Sequence, residues 1–358
     1  MQLRGLCGRV AVTTLASSDP VSPELRSAYD AQKLVPLWES GTTGFSQGGE
    51  QPRHWPWEAI GPILRETAHI TVPSIVERRV LMMMNPTIPR NDAESCAGLV
   101  SAGVQALMPG EIARPHRHAM HALRFVLEGE GAETIVEGKA CAMEPGDLVV
   151  TPGWAWHEHH NKGGKPTLWV DILDLAIHRA MRTDMFQPGP VNALRAVPAD
   201  RAYGAAGIVP VGIEENEVAR AGHTMMFRYP AGPAQAAAAN APQDQFGIRL
   251  ARYVDPRNGG AIVPTIDCYL MQLDEAETAK ARSLGAQLCV VVAGAGESDI
   301  DGTRIAWRRH DVFTIPRGAT VVHRISEGPA QIFVASDIEI YRRLGQADGN
   351  DPALFAAV

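Results

Sequence analysis

The stretch FVLEGEGAETIVEGKACAMEPGDLVVTPGWAWHEH, residues 125–159, is echoed by VVVAGAGESDIDGTRIAWRRHDVFTIPRGATVVHRI, residues 290–325. Each copy carries a Gly-x-Gly, Gly129 and Gly131 in the first, Gly294 and Gly296 in the second. Each then turns at an acidic residue followed by glycine, Glu137-Gly138 and Asp301-Gly302. Each ends with an aspartate five residues before a proline, Asp147 to Pro152 and Asp311 to Pro316. One unit written twice in a chain implies two related domains. The runs inside each copy are short, apolar and closed by turns, which suits a barrel or sandwich. The fold class is therefore all-β, with two tandem jelly-roll barrels.

The rest of the chain divides around the copies. Residues 1–90 predict a helical arm. SPELRSAYDAQKLVPLW opens on the cap pair Ser22-Pro23, and HWPWEAIGPILRETAHI gives a second amphipathic segment. VERRVLMMM reads as a strand. Residues 91–178 hold the first barrel, in runs such as LVSAGVQALMPGE, GDLVVTPG and PTLWVDIL. Residues 179–240 form a connector that ends in AGPAQAAAANAPQ, expected to be an exposed linker. Residues 241–358 form the second barrel.

The chemistry concentrates in RPHRHAMHALRF, residues 114–125, where His116, His118 and His121 fall close together. His116 and His118 are two apart, so on a strand both imidazoles face one side. His157, on a later strand, can complete one face of an octahedron. Neutral imidazoles suit iron, zinc, copper or nickel. His159 should share the cavity of His157, and His160 should point away. His121 reads as a bystander or as support behind the ligands. Arg124 lies six residues after His118, an even separation that puts it on the inward face if the strand is regular. In the second copy, Val321 takes the place of His157 and His323 that of His159. ETAKARSLGAQ, at the first histidine pair's place, has no histidine. The second barrel should be structural.

Two spaced motifs resemble those of the cupin superfamily: G-x5-H-x-H from Gly110 to His118, and G-x5-P-x4-H-x3-N from Gly146 to Asn161. Where a usual cupin adds a glutamate ligand, this chain has Ala122 and Leu123, and Glu128 beside Gly129 is expected in a turn. The site reads as a three-histidine one. HRHxxxALRF, EGxG, PGDxxxTPxWxWHxHxN and Trp169-Val170-Asp171 narrow the resemblance to the gentisate 1,2-dioxygenase family, which includes salicylate and 1-hydroxy-2-naphthoate dioxygenases. LVPLWE (34–39), ERRVL (77–81), AGVQALMPGE (102–111) and VPTIDCYLMQL (263–273) are similar too. The sequence departs from the pattern at Met120-His121 and at Gly153.

The resemblance implies a bicupin, commonly tetrameric, with one Fe(II) per chain held by His116, His118 and His157. It implies cleavage of a salicylate-type ring between the carboxyl-bearing and hydroxyl-bearing carbons, with both atoms of O2 inserted. Arg124 would hold the substrate carboxylate, since a planar guanidinium matches it. His159 would bond the phenolate or oxygen and move a proton. Asp171 would orient His159 or a ligand histidine. Gln105 and Gly103 would line the pocket, Gly103 leaving room for a ring substituent. Arg79, or its neighbour Arg78, would be a second carboxylate clamp, and Trp154 and Trp156 would pack in the core.

Composition excludes other classes of function. The net charge of −7, with no long basic run, gives nucleic acid nothing to bind. No apolar run approaches the roughly eighteen residues of a membrane span. Arg9 interrupts the apolar part of MQLRGLCGRVAVTTLASS, so a signal peptide is not expected. Five cysteines without a CxxC fit reduced thiols in a cytoplasm. The expected partners are a small aromatic acid and O2. Two alternatives remain, a non-catalytic small-molecule-binding cupin and a zinc or nickel isomerase on the same barrel.

Overall fold

The computed structural model describes residues 22–32, 49–72, 79–88, 94–189, 200, 203, 222–347 and 353–358. The chain separates into two units between Gly48 and Gly49. The described part of the first is helix α1 (Pro23–Gln32), whose N-cap Ser22 hydroxyl accepts the Leu25 amide. LVPLWE, Arg78 and Cys7 lie outside the described residues.

The second unit opens with β1 (His54–Trp55), α2 (Trp57–Ile70), β2 (Val80–Met82) and β3 (Ser95–Ala97). Next come β4 (Val100–Leu107), β5 (Ile112–His118), β6 (Ala122–Glu128), β7 (Ala132–Val136) and β8 (Lys139–Met143). β9 (Leu148–Thr151), β10 (His157–Asn161), β11 (Thr167–Leu173), helix α3 (Leu175–Met181) and β12 (Phe186–Pro188) follow. β13 (Arg228–Tyr229) and helix α4 (Ala231–Asn240) lead into β14 (Ile248–Tyr253), β15 (Asp267–Leu273), β16 (Ala281–Ser283) and β17 (Gln287–Ile300). β18 (Thr303–Arg308), β19 (Val312–Ile315), β20 (Thr320–Ser336), helix α5 (Ile338–Arg343) and β21 (Phe355–Ala356) complete it.

The first barrel pairs two antiparallel sheets. One has the order β12-β5-β10-β7-β8, the other β13-β9-β6-β11-β4-β2, with β3 also on β4. Their inner faces share a core of Ala113, Val136, Cys141 and Met143 from one sheet and Leu107, Val126, Val149 and Trp169 from the other. The outer face of the second sheet, with Leu123, Phe125, Val170 and Ile172, packs on Leu270, Val290 and Phe333 of the second barrel. Phe125 and Phe333 stack at 4.3 Å there. Alternate residues of β6 and β11 thus serve two cores, which is why LRFVLE and TLWVDIL are apolar nearly throughout.

The repeat is visible in the register. His157 and His159 of β10 pair with Val136 and Thr134, and Val321 and His323 of β20 pair with Ile300 and Ser298. Both acidic-Gly turns have positive φ at each residue, 49° and 83° at Glu137-Gly138 and 48° and 86° at Asp301-Gly302. That is the hairpin turn whose twist matches the flanking strands. In the second barrel β17 and β20 run on through 14 and 17 residues, so one nine-stranded sheet replaces two.

Within AGPAQAAAANAPQ, Ala231–Asn240 is a helix rather than a linker, although most of its residues are exposed. Alanine is the best helix former, and Pro230 stands at the N-cap, where a missing N–H costs nothing. The helix buries Ala238 in the core between the barrels. The stretch before residue 90 also does more than form helix. β1 pairs with β19 of the second barrel and β2 with β4 of the first.

Candidate metal centre

His116 and His157 are direct cross-strand partners on β5 and β10. The next pair is His159 with Ala113, so β5 carries a bulge at Arg114-Pro115. A proline has no ladder N–H to lose there, and the bulge re-aims the strand. Ala113 and His116, three apart, therefore both turn inward and are buried. His118 follows on the same face and is also buried. Among the described residues, these three histidines form the one group able to hold a metal, with one donor atom from each lying within 4.8 Å of the others.

Each ring is set by its own backbone. Nδ1 of His116 lies 3.3 Å from the Arg114 carbonyl, Nδ1 of His118 2.8 Å from Met120, and Nδ1 of His157 3.0 Å from Ala155. A carbonyl only accepts, so each Nδ1 carries the hydrogen and Nε2 is the basic nitrogen of each neutral ring. This arrangement fixes tautomer and ring plane before any ion arrives. Three convergent neutral imidazoles fit a divalent transition metal. Phe186 of β12 stacks on the His116 ring at 5.2 Å.

The opposite wall comes from β4, β6 and β11, where Gly103, Asp171 and Arg124 stand side by side in register. Arg124 and Asp171 are buried, with Nε 3.2 Å from the carboxylate. Nη1 of Arg124 donates to Thr151 Oγ1 at 2.6 Å. Asp171 thus meets Arg124 here, whereas Nδ1 of His159 lies 2.9 Å from Thr134 Oγ1. The parity count from His118 to Arg124 does not apply, because residues 119–121 break the strand and Arg124 sits in the other sheet. Arg124 is buried because it alternates with Val126 on the inner face of β6. Thr151 and Thr134 were not anticipated, although Thr134 sits at an alternate position of ETIV that parity could have marked.

Other expected residues fall as follows. Gln105 is buried on β4, two residues from Gly103. A Cβ at Gly103 would lie 2.6 Å from Val80 and 3.3 Å from the Met82 sulfur. The glycine therefore admits β2, whose Val80 side chain lies where a Cβ would stand. The Arg79 guanidinium is ion-paired with Glu111 and donates to the carbonyl of Ala68 at 2.7 Å. His160 bonds Glu158, away from the triad. Glu128 closes β6 and accepts from Trp57 Nε1 at 2.9 Å and from Arg65, outside the barrel. Trp154 and Trp156 are not core residues. They hold the Arg117 guanidinium at 4.4 and 4.8 Å from their rings.

In the second barrel the pair Ala281 and Val321 repeats the pair His116 and His157, and Ser283 stands where His118 would. His323 keeps the bond of its counterpart, with Nδ1 2.8 Å from Ser298 Oγ. Burial lowers its pKa to about 4, so it is a neutral core residue.

A buried histidine triad in one barrel of a tandem pair defines a metal-binding bicupin. A cupin-domain family matches residues 103–173. Gentisate 1,2 dioxygenase 1 of Aquipseudomonas alcaligenes is 31% identical over 336 residues, 90% of this chain and 94% of that protein. 5-Aminosalicylate 1,2-dioxygenase of Comamonas sp is 30% identical, over 83% of this chain and 80% of that protein. The crystal structure of salicylate 1,2-dioxygenase from Pseudoaminobacter salicylatoxidans with gentisate superposes with a TM-score of 0.82 at 27% identity, covering 93% of this chain and 94% of that one. The chain belongs to the gentisate 1,2-dioxygenase family of aromatic-ring-cleaving enzymes.

Proposed function

We propose that this enzyme opens a salicylate-type aromatic acid between its carboxyl-bearing and hydroxyl-bearing carbons, using O2 and one Fe(II) held by His116, His118 and His157. The observation that carries the reading is the buried triad with every Nδ1 tied to a carbonyl, facing a wall that contains Arg124. Ferrous iron would supply a centre for the carboxylate and phenol oxygens and a redox partner for O2. The chain's own residues do the rest. Arg124 binds the carboxylate, and Asp171 and Thr151 fix the plane of its guanidinium. Thr134 donates its hydroxyl hydrogen to the Met143 sulfur, so His159 donates from Nδ1 and takes the phenol proton at Nε2. Gln105 and Gly103 belong to the same wall. The Arg79 guanidinium is already engaged by Glu111 and the Ala68 carbonyl, so the reading rests first on Arg124. By the same reading the enzyme is a cytoplasmic homotetramer, the first part supported by four buried free cysteines.

The test is oxygen uptake by anaerobically Fe(II)-loaded protein with gentisate, salicylate, 5-substituted salicylates and 1-hydroxy-2-naphthoate. Uptake with loss of aromatic absorbance supports the reading and ranks the substrates. An iron-loaded protein that binds these acids without uptake is the non-catalytic binding protein, and full activity with zinc or nickel and no oxygen is the isomerase.

A further inference from the structure

Met120-His121 and Gly153, some thirty residues apart in sequence, meet in space. The turn Ala119–His121 joins ligand strand β5 to β6, and the Met120 carbonyl at its middle orients the His118 ring. The loop that precedes His157 grips this turn from both sides. Trp154 donates its amide to the His118 carbonyl at 2.6 Å, and Gly153 donates its amide to Nδ1 of His121 at 3.0 Å. The approach is close enough to demand glycine, because a Cβ at Gly153 would lie 2.4 Å from the Ala119 carbonyl oxygen. Trp154 holds a left-handed φ of 64°, a conformation that a bulky residue keeps only under restraint. Behind the turn, the His121 amide donates to Asp174, whose other carboxylate oxygen accepts from Thr265.

We propose that His121 is a positioning residue for the metal centre: as acceptor of the Gly153 amide, it clamps the turn whose Met120 carbonyl fixes the His118 imidazole. The inference rests on the reading of His116, His118 and His157 as ligands. Nδ1 accepts only in the neutral ring, and burial, the largest influence on this group, pulls its pKa down to about 4. The clamp therefore stays closed throughout the neutral range. It joins the two ligand-bearing segments, β5 and the approach to β10, through a side chain that never touches the ion. Removing the acceptor leaves a half-buried amide without its partner and frees the Met120 carbonyl to drift.

The experiment compares wild type with His121→Phe, which keeps a ring of similar size without an acceptor, and His121→Asn, which restores one. Co(II) affinity is measured by competition with a chromophoric chelator, and the visible spectrum of the Co(II) protein reports ligand geometry. His121→Phe is expected to lose about tenfold in affinity, the lower end for groups that orient ligands, and to shift the spectrum. His121→Asn should recover most of both, with the metal-free melting temperatures of the three alike. Wild-type affinity and spectrum in His121→Phe would overturn the proposal. So would equal losses in both variants that follow a fall in metal-free stability. A wild-type protein that binds no Co(II) would instead refute the ligand assignment itself.

Discussion

A buried cation and its buried anion are costly to separate, and the wall opposite the triad is built on such a pair. Arg124→Ala would remove a buried cation that pairs with Asp171, a loss of up to roughly 3–5 kcal/mol in stability that would mask the effect on binding. Arg124→Lys keeps the charge and loses the planar fork. The Lys variant is expected to retain metal and raise KM for the acid by about 10–100-fold, the worth of a charged hydrogen bond. His116→Ala should abolish metal retention, as elemental analysis of the dialysed protein would record. Wild-type turnover in both variants would refute the site. At this scale, what could be read from sequence depended on strand continuity. His116 and His118 lie on one strand, so alternation placed them correctly. For Arg124 the same count crossed the turn at residues 119–121, so burial follows from β6 alone. The place of Trp154 and Trp156 is not legible in their own segment, because the Arg117 guanidinium that they hold comes from β5.

Between elements, two carboxylates fasten the β3–β4 turn, Glu50 to the segment before β1 and Asp337 to the second barrel. Glu50 accepts the Gly98 amide at 3.2 Å, and Asp337 accepts those of Leu99 and Ala286 at 3.1 and 2.8 Å. Burial pushes Glu50 up to about 7, with Asp337 nearby adding to it, and burial pushes Asp337 up to about 6. Both folded-state values lie above the ordinary ones, so the folded protein holds more protons than the unfolded chain in that interval. Their stabilisation is complete below about pH 4 and is lost as pH rises through 6 and 7. His323 acts oppositely, losing stability as pH falls from 6.5 to about 4. Glu50→Gln keeps a carbonyl for the Gly98 amide and removes one titration. Its melting temperature should match wild type at pH 4 and exceed it at pH 8. A constant difference at both would show that Glu50 does not titrate there. Sequence could not mark this fastening, since its partners are 48 residues or more apart. Periodicity did find the strands. The helix Ala231–Asn240 was missed because an alanine run lacks an amphipathic pattern, although its propensity is high.

For the molecule as a whole, duplication with loss is the organising fact. The second barrel keeps turns and register but fills its centre with Ala281, Val321 and neighbouring apolar side chains. One metal ion per chain is therefore expected, and removing it with a chelator should lower the melting temperature. The loss is about 2.7 kcal/mol when the free ion had stood at a hundred times Kd. Two ions per chain would contradict the reading of the second barrel. The tandem architecture was readable because both copies repeat a turn and an Asp-to-Pro interval, features that local backbone geometry enforces. How the barrels pack was not, because both faces of β6 and β11 are apolar and nothing in their pattern says which core each residue joins. The central claim is ring opening by a dioxygenase at the triad. It is tested most directly by a single turnover of Fe(II)-loaded protein with salicylate or gentisate under ¹⁸O2, the ring-opened acid being weighed by mass spectrometry. The expected product carries both labelled atoms in wild type and does not form in His116→Ala. A product with one label or none, or one formed equally by the variant, would contradict it.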